Sequence, residues 1–310
     1  MRTELCLVMV AVALLMHDTH AIQKVSMQQQ LEQVVAGFAG VVGIAARNLI
    51  TGEEAALNAD ARFPTASTIK AAVMIEAYHQ GAEGKLPLDS RIALRESDKV
   101  GGSGVLNGMS AGLELKAVDL IHLMITLSDN TATNMLVTRL GARQIDDRLT
   151  HYGLTQTKIF RPTFRDGRAD VFPELEREFG LGMTTPREMA PLMALIAEGK
   201  AVSAEASAKM LATLRRQQDR AMIPRLLPPG DAIEIGNKTG TDSEKQPDAA
   251  GRRGAIRADA AIVTGPGTKY VIAIYTRRGA DQSYGIDNAA LLAGARISRI
   301  VFDGFAGKGK

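Results

Sequence analysis

Cysteine is almost absent: Cys6 is the only one in 310 residues. One thiol builds neither a disulfide framework nor a thiolate metal cluster. Tryptophan is missing altogether, and aromatic residues make up 4% of the chain. No Lys/Arg cluster is interleaved with aromatics, so the charge-and-stacking pattern of nucleic-acid binders is lacking and no nucleic-acid partner is expected. Long apolar runs are missing after the first twenty residues, so no stable membrane insertion is expected of the remainder. What is left is an ordinary globular composition, 45% hydrophobic and 23% charged, with a formal net charge of +3. The length allows one large domain or two modest ones.

The chain starts with an apolar stretch from Leu5 to Met16, preceded by Arg2 and followed by Thr19-His20-Ala21. Twelve apolar residues are too few to span a bilayer, and small residues follow where a signal peptidase reads. Residues 1–21 are therefore expected to be a secretory signal peptide, cleaved after Ala21, which makes the product periplasmic or extracellular. Cys6 leaves with it.

Periodicity predicts a helix over 27–38, a strand over 41–46, a turn over 48–53 and a return strand over 55–58. From Ser67 to about Leu227 the pattern is almost entirely helical. Strands return at 233–238, 255–263 and 270–276, and a last helix is expected from about 286 to 301. An α+β architecture follows: a sheet region from both ends of the chain (about 27–62 and 229–303) with an all-helical region (about 63–228) inserted, forming one domain over 22–310. The stretch from Lys116 to Leu127 is apolar nearly all round and is expected to be buried centrally. Gly101-Gly102-Ser103-Gly104 has neither the strand nor the Lys-Ser/Thr helix of a phosphate cradle and reads as a flexible turn.

Three short motifs carry chemistry. Ser67 and Lys70 lie three apart at a helix start, on one face. A serine hydroxyl needs a base to take its proton, and a lysine in a dry pocket loses enough basicity to be one. Ser128-Asp129-Asn130 follows the buried helix and carries polar groups inward; helix capping is an alternative use, above all for Asp129. Lys238-Thr239-Gly240 sits on a strand, aims a cation and a hydroxyl to one side, and leaves room for close approach at Gly240.

Each motif alone is weak. In this order and on these elements, the set resembles that of class A β-lactamases and penicillin-binding proteins. The likeness spans roughly residues 27–303, and Lys99 to Leu106 resembles the class-A-like enzymes in particular. The resemblance implies a β-lactamase/transpeptidase-like fold, an antiparallel sheet flanked by helices, a monomer, and no metal or cofactor. It implies Ser67 as the acylated nucleophile, Lys70 as its base and Ser128 as the proton donor to the leaving nitrogen. Asn130, Lys238, Thr239, Gly240 and Thr241 would bind substrate, with the N–H groups of Ser67 and Thr241 as oxyanion hole. Arg257 is either a second cation for the substrate carboxylate or a solvated strand residue.

One departure bears on the reaction. Class A β-lactamases release the acyl group with a loop glutamate. Here Phe172 falls at that position in Phe172-Pro173-Glu174-Leu175-Glu176. Asp166, Asp170, Glu174, Glu176 and Glu178 are nearby acids, with Glu176 and Glu174 the leading candidates for the missing base. The expected function is a β-lactamase-type serine hydrolase opening the β-lactam amide. The alternatives are a D-Ala-D-Ala peptidase of cell-wall peptide with slow deacylation, and a penicillin-binding sensor, which would need a transmembrane link.

Overall fold

The computed structural model describes residues 25–169, 171–230 and 232–306. The expected signal peptide and Asp170 lie outside them. The described elements begin with α1 (Met27–Ala36), β1 (Val41–Asn48), β2 (Glu54–Leu57) and β3 (Phe63–Pro64). A 3-10 turn, Ala66–Ile69, runs into α2 (Lys70–Ala82), followed by β4 (Arg91–Ala93) and β5 (Glu114–Lys116). The middle holds α3 (Ala117–Thr126), α4 (Asn130–Leu140), α5 (Ala142–His151), β6 (Lys158–Ile159), α6 (Pro173–Phe179), β7 (Gly182–Thr184), α7 (Pro186–Ala197) and α8 (Ala204–Leu214). The chain closes with β8 (Glu234–Ser243), β9 (Ala255–Gly265), β10 (Thr268–Gly279) and α9 (Ala289–Ala306).

The main sheet is antiparallel, in the order β2-β1-β10-β9-β8. Its strands alternate between two apolar cores, as the period of two requires. On β10, Tyr270, Ile272 and Ile274 face α1 and α9, meeting Leu31, Ile297, Val301 and Phe305. Val271, Ala273 and Tyr275 face the opposite way, into the core shared with Met189 of α7 and Met74 of α2. Both faces are covered, so the strands read as near-continuous apolar runs rather than as alternating ones.

Three details differ from expectation. The helical region contains two small sheets, β3-β7-β6 and β4-β5. α3 is buried on one side only: Leu120, Ile121 and Met124 are fully buried, whereas Val118 is 37% exposed. Only one face of α3 has helices to pack against, and apolar composition alone does not say how many faces are covered. α9 starts at Ala289 rather than near 286, because Asn288 and the Asp281 carboxylate tie the preceding loop.

Candidate active site

Three segments converge at one edge of the sheet. β8 is the outermost strand, so one row of its peptide groups is left without a sheet partner. The turn carrying Ser67 packs directly against it. A side-chain carbon on Gly240 would stand 3.0 Å from Thr65 O and 3.2 Å from Ser67 N, so only glycine admits this approach without displacing the turn. Thr68 Oγ1 pins the turn from behind through a 2.7 Å hydrogen bond with the buried Tyr275 hydroxyl. The third segment is the α3–α4 loop with Ser128. Asp129 caps α4 by accepting from Ala132 N–H, and its other oxygen accepts from the N–H groups of Val105 and Leu106.

Two non-glycine residues at this junction have left-handed backbones, Ala66 at φ 43° and Ser128 at φ 55°. Such conformations are costly and persist where the surroundings over-determine them. Here they turn Ser67 into the cleft and set Ser128 between the two lysines.

Lys70 and Lys238 are both wholly buried. Lys70 Nζ donates to Ser128 O at 2.8 Å, Ser128 Oγ at 3.1 Å and Asn130 Oδ1 at 2.8 Å. Lys238 Nζ donates to the same Ser128 Oγ at 3.2 Å and to Thr239 O at 2.8 Å. Burial, and then the Lys238 charge, hold the Lys70 ammonium well below the usual lysine range, with Asp129 opposing. Burial also lowers Lys238, to about 8, against the pull of Asp259 and Asp219. Ser67, Ser103, Ser128, Thr239 and Thr241 line a cleft of about 210 Å³ beside these groups.

Among the described residues no carboxylate forms an ion pair with Lys70, whose three N–H bonds are all spent on serine and asparagine oxygens. Glu176, a candidate base, is buried and held by Arg161, and the same oxygen accepts from Gly167 N–H. Asp166 also pairs with Arg161, and Glu178 with Arg277. Glu174 is exposed and lines a separate groove with Arg177, Arg252 and Arg277. Phe172 caps α6 at φ 51°, its ring 5.3 Å from Lys158 Nζ and edge-on to Phe160. The acid lining the cleft is Asp219, whose charge acts on Lys238.

Arg257 is neither solvated nor free. It lies opposite Thr241 in the sheet, and its guanidinium donates to the carbonyls of Asp242, Ile256 and Ser283. The glycine loop is not a free turn either. Asn130 N–H donates to Ser103 O and its amide to Gly101 O. A side chain at Gly104 would strike the Asp129 carboxylate at 2.3 Å. These glycines serve close approach, a use that composition does not distinguish from flexibility.

The buried Asp259 was not singled out from the sequence. It accepts from Asn237 Nδ2 at 3.0 Å and from Ile223 N–H at 3.0 Å, and burial pushes its carboxyl up to about 7. A lone acid in the apolar run 255–263 was the available signal, because such a residue must find partners inside the protein.

A serine at the head of a buried helix, with two dry lysines sharing a second serine, on this α+β fold, marks a serine hydrolase of the β-lactamase type. The chain belongs to the β-lactamase enzyme family, whose model matches residues 26–305. It is 29% identical to β-lactamase CTX-M-97 of Escherichia coli over 70% of this chain and 72% of that protein. Among solved structures it resembles a β-lactamase from Sphaerobacter thermophilus (31% identity, TM-score 0.76), covering 89% of this chain and 95% of the other. It also resembles PBP-A (28% identity, TM-score 0.76), over 91% and 96%. A PBP-A variant in acyl-enzyme complex with penicillin G is similar at 29% identity, TM-score 0.75.

Proposed function

We propose that this enzyme opens the β-lactam amide through an acyl-enzyme on Ser67 and releases the acyl group slowly. The observation that carries the second half is the set of Lys70 partners among the described residues: serine and asparagine oxygens, and no carboxylate. Lys70, whose ammonium is held well below the usual lysine range, acts after giving up one of its three donated N–H bonds: the resulting neutral amine takes the Ser67 proton as Oγ bonds to the lactam carbonyl carbon. The resulting oxyanion lies between the N–H groups of Ser67 and Thr241. Ser128 Oγ, within reach of both lysines, gives its proton to the lactam nitrogen as the C–N bond breaks, and regains one from Lys70. Lys238 and Thr239 hold the substrate carboxylate, while Asn130 Nδ2 has one N–H left for the acyl amide. Gly240 acts by letting β8 approach. Arg257 contributes through the sheet, since its donors hold carbonyls.

Hydrolysis of the ester then needs a base for water. Glu176 serves instead as the anchor of Arg161. A positioned general base contributes roughly 10²–10⁴-fold, so deacylation is expected to be slower than in an enzyme with such a base by about that factor. The same feature favours a second reading, a D-Ala-D-Ala peptidase for which β-lactams are long-lived inhibitors. A chromogenic cephalosporin separates the outcomes: a burst of about one equivalent followed by slow turnover is expected. Fast linear turnover without a burst contradicts slow release.

Carboxylate binding sets a pH dependence. Lys238 is charged below about 8 and neutral above it. The apparent KM for acylation is expected to stay flat below that value and to rise by roughly tenfold per unit above it, as the cation is titrated away. A flat profile through pH 10 would show that another group holds the carboxylate.

No described helix is long and apolar enough to cross a membrane. Export to the periplasm or beyond rests on residues 1–21, and a monomer working on a small molecule or peptide fits a cleft built within one chain.

A further inference from the structure

Phe164 has no role in the chemistry above, yet its placement is unusual. It is 58% exposed and has a left-handed backbone, φ 52°. A bulky residue in that region is a genuine outlier. Its neighbours do not let it relax. Asn134 Oδ1 accepts from Thr163 N–H and Oγ1–H, and Asn134 Nδ2 donates to Thr163 O. Arg165 donates to Ser97 O at 2.7 Å. An exposed aromatic side chain is therefore held on a pinned loop, not left on a loose one.

The ring lies over Gly102. A carbon built at the Cβ position of Gly102 would stand 2.9 Å from Phe164 Cζ and 2.7 Å from Asn130 Nδ2. The ring edge and the Asn130 amide thus border one another, in the space that a side chain at residue 102 would otherwise take. Asn130 is the group assigned above to the acyl amide, so whatever continues from that amide passes beside the ring.

We propose that Phe164 is a specificity-determining residue: the aromatic wall against which the acyl side chain of the substrate packs. It favours substrates whose acyl group carries an aromatic or flat apolar end, through offset stacking and exclusion of water from the ring face. The proposal rests on the acylation reading above. Strained backbone bracketed by anchors is the form in which a fold keeps an exposed aromatic ring oriented for a ligand.

The test compares second-order acylation rates of wild type, Phe164→Ala and Phe164→Tyr with two probes: benzylpenicillin, which carries a phenylacetyl side chain, and 6-aminopenicillanic acid, which carries none. Phe164→Ala is expected to lower the benzylpenicillin rate roughly 10-fold and leave the 6-aminopenicillanic acid rate unchanged, with Phe164→Tyr near wild type on both. The unchanged second rate also shows that the variant is folded. An equal loss on both probes would assign Phe164 a purely structural role, and equal rates in all three proteins would remove it from recognition; either overturns the proposal. Failure of wild type to be acylated by either penicillin would instead overturn the acylation reading itself, and the wall with it.

Discussion

Ser67→Ala is expected to give no covalent adduct with any β-lactam. The nucleophilic oxygen is the only atom lost, and nothing else in the cleft replaces it. Ser128 Oγ is already shared by Lys70 and Lys238 and is assigned to the leaving nitrogen. Ser103 belongs to the loop tied to Asn130 and has no lysine partner among the described hydrogen bonds. Intact-protein mass reads the result directly. An adduct that persists in this variant, mapped to another residue, would sink the assignment of the nucleophile.

The second large effect is at Lys70. Lys70→Ala is expected to slow acylation by about 10²–10⁴-fold, the range for loss of a positioned base. It also strips the donor from Ser128 O and Asn130 Oδ1, while Ser128 Oγ keeps Lys238, and each buried acceptor left unpaired costs roughly 1–3 kcal/mol. A falling melting temperature therefore accompanies the loss and must be measured alongside. Lys70→Arg separates the two effects. A guanidinium keeps donors in the pocket but does not give up its proton, so it is expected to recover stability without recovering acylation. Equal recovery of both would mean that Lys70 acts as a fixed cation rather than as a base.

The parts of the site that were legible in the sequence are those fixed by local geometry. Ser67 and Lys70 are joined by one helical turn, and Ser128 follows a buried helix. Lys238 lies on a strand whose neighbours announce it, so three short motifs and their order were enough to assemble them. The strands of the main sheet were legible because apolar runs bounded by turn residues reach across both cores. What was not legible depends on partners far along the chain. The loop after Ile159 holds five acids, and only the folded chain shows that Arg161 takes two of them, Glu176 and Asp166. Arg257 could be read as a substrate cation or as a solvated residue. Its carbonyl partners at Asp242 and Ser283 come from segments with no sequence mark of their own. Phe164 and Asp259 stood out least, since one aromatic in a loop and one acid in a strand carry meaning only once their neighbours are known.

The central claim is an acyl-enzyme on Ser67 that outlives its formation because, among the described residues, no carboxylate pairs with Lys70. The measurement that tests it most directly is intact-protein mass after mixing with benzylpenicillin, followed from seconds to hours. The account predicts one adduct, mapped to Ser67, that forms fully and decays far more slowly than it appears. An adduct that vanishes within seconds while hydrolysed drug accumulates would contradict it, and would mean that one of the loop acids leaves its arginine to activate water.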